Sequence, residues 1–134
     1  MKLYIDTNIF LDYLLERKNL NGKDISLPAQ RLFYRAMSCE FFIIVSDHTA
    51  NELNKNLNIE KARMRIEFLK KKIVMVYTTE EDIIEAKRLS RLNINDALHA
   101  VLAKKYEADY LITRNLKDFE EFSSYIKSKA PENI

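Results

Sequence analysis

The chain has 134 residues, 47% of them hydrophobic and 31% charged, and lysine and arginine nearly balance aspartate and glutamate at a formal charge of +2. That length and apolar share fit one domain over residues 1–134 with a continuous core, and the charge balance excludes a polybasic tail, so any nucleic-acid site has to come from local clustering. The one glycine, Gly22, excludes the P-loop, the dinucleotide fingerprint and the nucleophile elbow, each of which needs several glycines; phosphate chemistry here has to rest on side chains and metal ions.

The N-terminus opens Met-Lys-Leu-Tyr-Ile-Asp, without the cationic lead, long apolar run or small-residue cleavage site of a signal peptide. Lys2 to Asp6 reads as a short apolar strand, and Asn8 to Arg17 as a helix with Phe10, Tyr13 and Leu14 on one side. A polar loop holds the turn dipeptide Asn21-Gly22. Pro28 suits the first turn of a helix that sets Ala29, Leu32, Phe33, Ala36 and Met37 on one stripe. Cys39 is the single cysteine, which rules out an intramolecular disulfide and suits a reducing cytosol. Phe41 to Val45 predicts a strand buried on both faces, ending at Ser46-Asp47. Helices follow to about Leu57 and over Glu60 to Lys71, then a strand at Ile73 to Tyr77. Thr79 caps a helix to about Leu92, and a further helix runs from Asp96 to Glu107. Tyr110 to Thr113 is a strand, Asp118 to Phe122 a short helix, and Tyr125-Ile126 a last strand. No apolar stretch approaches the ~18 residues of a membrane span.

Strands separated by helices require crossover connections, so the predicted fold is α/β: a three-layer α/β/α arrangement around a mostly parallel sheet of four to five strands. Ligands bind such sheets beyond the carboxyl ends of the strands, which places Asp6, Ser46 and Thr113 along one rim. The helices at 79–92 and 96–107 stand between two strands that must run parallel, so one of them has to cross the sheet rather than lie along it; the sequence leaves open which.

Acids open three helices, near Asp6-Thr7, at Thr49-Ala50-Asn51-Glu52 and at Asn93-Ile94-Asn95-Asp96. Each has a capping explanation: Thr49-x-x-Glu52 has the form of a capping box, as does Thr79-Glu80-Glu81-Asp82. Asp96 resists it, because Ala97 to Ala103 is apolar nearly all round and predicts a buried helix. A carboxylate leading such a helix is desolvated and needs a partner, as is Asp6 at the end of a buried strand. Carboxylates gathered at one rim raise one another's pKa, and a hard divalent cation with oxygen ligands, Mg²⁺ or Mn²⁺, is the natural neutraliser.

On these residues the chain resembles the PIN-domain nucleases, and among them the VapC-type toxins of prokaryotic toxin–antitoxin pairs. The resemblance rests on Asp6-Thr7-Asn8, Glu52-Leu53, Asn95-Asp96-Ala97-Leu98 and Leu111-Ile112-Thr113-Arg114-Asn115 followed by Lys117-Asp118-Phe119, in that order along nearly the whole chain. It implies that Asp6, Glu52 and Asp96 hold the metal and that Thr7, Asn8 and Thr113 support the acids or touch phosphate. At the fourth acidic position many members carry an aspartate where this chain has Asn115; Asn115 there can act through its amide, and Asp118 is the nearest carboxylate able to substitute. The implied activity is metal-dependent endoribonucleolytic hydrolysis of RNA by water attack, in the cytoplasm, by a homodimer neutralised by a small antitoxin. The rival readings are an RNA-processing or decay nuclease without antitoxin, and a degenerate PIN-like fold that binds RNA or protein without cutting.

RNA also needs cations to hold it. Lys61, Arg63, Arg65 and Lys70 to Lys72 form one basic group, Lys87, Arg88 and Arg91 a second, and Arg17 with Lys18 a third; each also suits a solvated helix face. Arg114 adjoins the predicted site and is the preferred direct phosphate contact. His48 and His99 are the only histidines, and His99, three residues after Asp96, is expected to pack or to support a carboxylate rather than to react.

Overall fold

Short apolar runs become the central strands of the sheet. In this computed structural model, which describes residues 1–56 and 60–134 and only the backbone of 60–63, β1 (Lys2–Ile5), β2 (Phe42–Ser46), β3 (Ile73–Val76), β4 (Tyr110–Ile112) and β5 (Ser128–Lys129) form one sheet. Its order is β3-β2-β1-β4-β5, and every adjacent pair is parallel. The helices are α1 (Thr7–Leu15), α2 (Ser26–Met37), α3 (Asp47–Asn56), α4 (Glu60–Leu69), α5 (Glu80–Leu89), α6 (Ile94–Lys105) and α7 (Leu116–Phe119). Among the described residues no helix is long and apolar enough to cross a membrane. The end of α3 at Leu57 and the Lys61 and Arg63 side chains lie outside the described residues.

Period-two alternation sorts the strand residues between two cores. Leu3, Ile5, Ile43, Val45 and Ile112 face α1 to α4, where Phe10, Phe33 and Leu69 are buried with them. Tyr4, Ile44 and Leu111 face the other layer, with α5, α6 and α7. The result is the expected three-layer α/β/α sandwich. Burial separates the paired helices. α6 buries Ala97 to Ala103 without a break against Tyr4, Ile44 and Leu111, whereas α5 buries only Asp82 and Ala86. α6 is therefore the helix seated on the sheet and α5 the outer one, and Lys105 Nζ donates to Asp82 Oδ2 across the pair at 2.9 Å.

Three details differ from the sequence reading. The last strand lies at Ser128–Lys129 rather than Tyr125-Ile126. The amides of Tyr125 and Ile126 both donate to the Phe122 carbonyl, so these residues make a turn, and Ile126 is buried in the second core. Phe42 is 48% exposed at the start of β2, with the Lys72 ammonium 5.4 Å from its ring. α7 begins at Leu116, two residues early, and Glu120 to Phe122 continue it as a 3-10 turn. Gly22 occupies the predicted turn with φ of 77°, the left-handed region that favours glycine.

Two local devices anchor the layers. Thr79 closes a capping box: its hydroxyl accepts from the Asp82 amide at 3.3 Å while Asp82 accepts from the Thr79 amide at 2.9 Å. On α1, Asp12 is 1% exposed and takes two hydrogen bonds from Arg114, at 2.5 Å and 3.1 Å, tying α1 to the segment after β4. Burial pushes the Asp12 carboxyl up, and Arg114 and Arg17 offset only part of that rise.

Thr79→Ala removes the cap and lowers stability by about 1 kcal/mol, to be read from the urea midpoint at unchanged slope. Arg114→Ala strands a buried carboxylate and costs about 3 kcal/mol at neutral pH. Asp12, its pKa raised by burial, then protonates on acidification, so the deficit shrinks as pH falls. Denaturation curves at neutral and acidic pH check both the size and the direction.

Candidate active site

β1 pairs with β2 on one side and β4 on the other. The chain runs outward from β1 to β3, then returns across the sheet to β4, so the strand order reverses beside β1. Such a switch point opens a crevice beyond the carboxyl ends of the strands, and Asp6 is the residue there. Its amide donates to the Ile112 carbonyl at 2.9 Å, and the Thr113 hydroxyl, at the end of β4, donates to Asp6 Oδ2 at 3.0 Å. Asp6 is 5% exposed. Burial pushes its carboxyl up, an effect that the His99 charge and the Thr113 hydrogen bond reduce without cancelling.

Asp96 stands in the first turn of α6. Burial, and then the charge of Asp6, push its carboxyl up as well. Among the described residues neither Asp6 nor Asp96 forms an ion pair with lysine or arginine. They line a groove of about 490 Å³ together with Thr7, Asn8, Glu52 and His99.

Glu52 is held differently. Its Oε1 accepts from the Thr7 hydroxyl at 2.9 Å and bonds His99 Nε2 at 2.8 Å. Burial works to raise the carboxyl, but the His99 hydrogen bond and charge and the Thr7 hydroxyl more than offset it, so Glu52 sits below the usual carboxylate range. The capping box expected at Thr49-x-x-Glu52 is not formed. α3 starts two residues earlier, at Asp47, and Ser46 Oγ accepts from the Thr49 amide at 3.1 Å, which leaves Glu52 to the groove. His99 is 2% exposed, and its Nδ1 bonds the Tyr4 hydroxyl at 2.7 Å. Burial disfavours its charged form, but the Tyr4 oxygen, the Glu52 hydrogen bond and the Asp6 charge outweigh this and push it up to about 10.

The other predicted site residues fall outside this cluster. Thr113 lies beneath Asp6 as its donor. The Asn115 amide donates to Thr113 Oγ1 at 3.0 Å, but Asn115 is not among the groove-lining residues. Asp118 is exposed and is felt through its charge, which raises Asp96. Arg114 is turned to Asp12. The groove also takes in His48, Asn51, Lys55 and Asn56, all on α3, which the sequence does not mark as site residues. The available signal was helical spacing, since His48 and Lys55 stand four residues before and three after Glu52, on its face of the helix.

The donor set decides which cation fits. Asp6 and Asp96 offer oxygen only, are desolvated, repel each other and have no lysine or arginine ion pair among the described residues, so that the charge of His99 offsets only part of the cost. That fits a hard divalent cation. Asp6, Glu52 and Asp96 share the groove, but the one tight group of three among the described residues, with ligand atoms within 4.8 Å of one another, is His48, Glu52 and His99.

The chain matches the PIN domain family over residues 3–124. It is similar in structure to a chain of the VapBC2 complex from Rickettsia felis bound to a DNA fragment from their promoter. The two share 15% identity at a TM-score of 0.69, over 97% of this chain and 98% of that one. A chain of VapBC-1 from nontypeable Haemophilus influenzae is similar at 21% identity and a TM-score of 0.63, over 98% of each. No curated protein matches. At these identities the solved structures speak to the fold alone, and the family match covers most of the chain: it belongs to the PIN domain family.

Proposed function

We propose that residues 1–134 act as one nuclease domain, a divalent-metal-dependent endoribonuclease that serves as the toxin of a VapBC-type pair in the cytoplasm. The observation that carries the proposal is the Asp6–Asp96 pair: two carboxylates lining one groove at the switch point of a parallel sheet, one buried and one partly so, both pushed up by desolvation and neither paired with lysine or arginine among the described residues. Membership of a family of nucleases supports the reaction class, and the likeness to chains from VapBC complexes supports a toxin role.

In this reading Asp6 and Asp96 hold Mg²⁺ or Mn²⁺. When bound, the cation supplies Lewis acidity and offsets charge on the phosphoryl oxygens. Glu52, kept ionised by His99 and Thr7, completes the negative lining. Thr113 donates to one oxygen of Asp6 and so restrains the carboxylate's rotamer. Arg17 and Lys55, at the same groove, position the RNA backbone through phosphate contacts that carry no sequence choice. Asn8 is steadied by Arg17, which donates to its side-chain oxygen at 3.5 Å. Asp118 fills the fourth acidic position in preference to Asn115, because its charge reaches Asp96. A small antitoxin neutralises the site by bringing a basic side chain to the carboxylates, and the toxin acts as a homodimer.

Purified protein cleaves RNA with Mg²⁺ or Mn²⁺ and stops in chelator. Asp6→Asn and Asp96→Asn each lower the rate by about 100-fold or more, while circular dichroism stays unchanged. Cleavage that persists in chelator, or survives both substitutions, excludes the proposed chemistry.

A further inference from the structure

We propose that His48, Glu52 and His99 form a second site, distinct in chemistry from the Asp6–Asp96 pair, which captures a borderline transition-metal dication such as Zn²⁺ through two imidazole nitrogens and one carboxylate oxygen. His48 and Glu52 stand one turn apart on α3, and His99 comes from α6, so the site bridges two helices. Nitrogen-rich donor sets of this kind select Zn²⁺ and its neighbours, whereas Mg²⁺ prefers oxygen alone.

The geometry is close to what such an ion needs. Zinc bonds of about 2.0–2.1 Å in tetrahedral arrangement set ligand atoms about 3.3 Å apart. Glu52 Oε1 lies 2.8 Å from His99 Nε2 and 3.5 Å from His48 Nε2, on either side of that spacing. His48 Nε2 is buried and makes no hydrogen bond, although the carboxylate is beside it. A buried ring nitrogen left in this state calls for a partner, and a cation between the three groups supplies one.

The surroundings of His99 fit a ligand. Metal-bound histidines commonly donate their other ring nitrogen to an outer partner that fixes the tautomer. His99 Nδ1 meets the Tyr4 hydroxyl at 2.7 Å, Tyr4 meets Ser46 Oγ at 2.9 Å, and Ser46 Oγ donates to Thr49 Oγ1 at 3.2 Å. With every hydrogen in this relay pointing away from the imidazole, Nδ1 is the nitrogen that keeps its proton, and Nε2 offers a lone pair once the proton it holds toward Glu52 has left. The ion then takes the place of the proton that His99 Nε2 shares with Glu52. All three ligands line the open groove, which gives the ion an entry path. Binding is independent of the nuclease reading. Its consequence, a cation that competes with the Asp6–Asp96 side for Glu52 and slows cleavage, rests on that reading.

Tag-free full-length protein titrated with Zn²⁺ by calorimetry tests the binding, with Co²⁺ absorption reporting nitrogen ligation. The expected result is one equivalent bound, weakened by about 10- to 100-fold in His48→Gln and also weakened in Glu52→Gln. Asp96→Asn must lose less than either. Failure of the wild-type protein to bind, unchanged affinity in both His48→Gln and Glu52→Gln, or a loss in Asp96→Asn as large as theirs overturns the proposal. Cleavage of RNA in Mg²⁺ alone is assayed separately: its failure counts against the nuclease reading and leaves the result of the zinc titration as it stands.

Discussion

Two desolvated carboxylates, Asp6 buried and Asp96 partly so, without a lysine or arginine partner among the described residues, govern this molecule. Asp6 is buried because it ends the central strand of a sheet covered on both faces, and Asp96 is partly desolvated because it leads a helix buried from Ala97 to Ala103. The same burial that makes each costly makes the pair a strong attractor for a small dication. The rest of the chain makes that cost tolerable: Thr113 donates to Asp6, the fully buried His99 lends positive charge nearby, and Glu52 is satisfied separately.

The fold produces this arrangement from its strand order. Because β1 lies between β2 and β4, residues distant in sequence, 6, 46 and 113, arrive at one edge. α6 must then run beneath that edge to return the chain from β3 to β4, which delivers Asp96 and His99 to the same place. The α5–α6 pair is the part of the connection that the sequence left open. Burial separates the two: α6, buried without a break from Ala97 to Ala103, sits on the sheet, and the sparsely buried α5 lies outside it.

The sequence made the sheet legible because parallel, doubly covered strands need continuous apolar runs, and it made α6 legible because no solvated helix reads Ala-Leu-His-Ala-Val-Leu-Ala. It misplaced β5, since Tyr125 and Ile126 are apolar for the sake of the core and not of the sheet. The part played by His48 was hidden because a lone histidine in a polar helix carries no signal until His99 arrives from another helix. Arg114 was read for its nearness to Thr113, but its partner, Asp12, looks like an ordinary polar residue in α1. The Asp12–Arg114 pair is long-range, and long-range pairing is what one sequence shows least well. Thr49-x-x-Glu52 misled in the opposite sense: a local capping pattern was present, but Ser46 caps the helix and frees Glu52 for Thr7 and His99.

The most direct measurement is an anomalous difference map from crystals soaked in Mn²⁺. A single peak within coordinating reach of both the Asp6 and Asp96 carboxylates, absent in crystals of Asp96→Asn, is the predicted result. A map with no peak there, or with manganese bound only at His48, Glu52 and His99, contradicts the view that the two aspartates are built to share a hard cation.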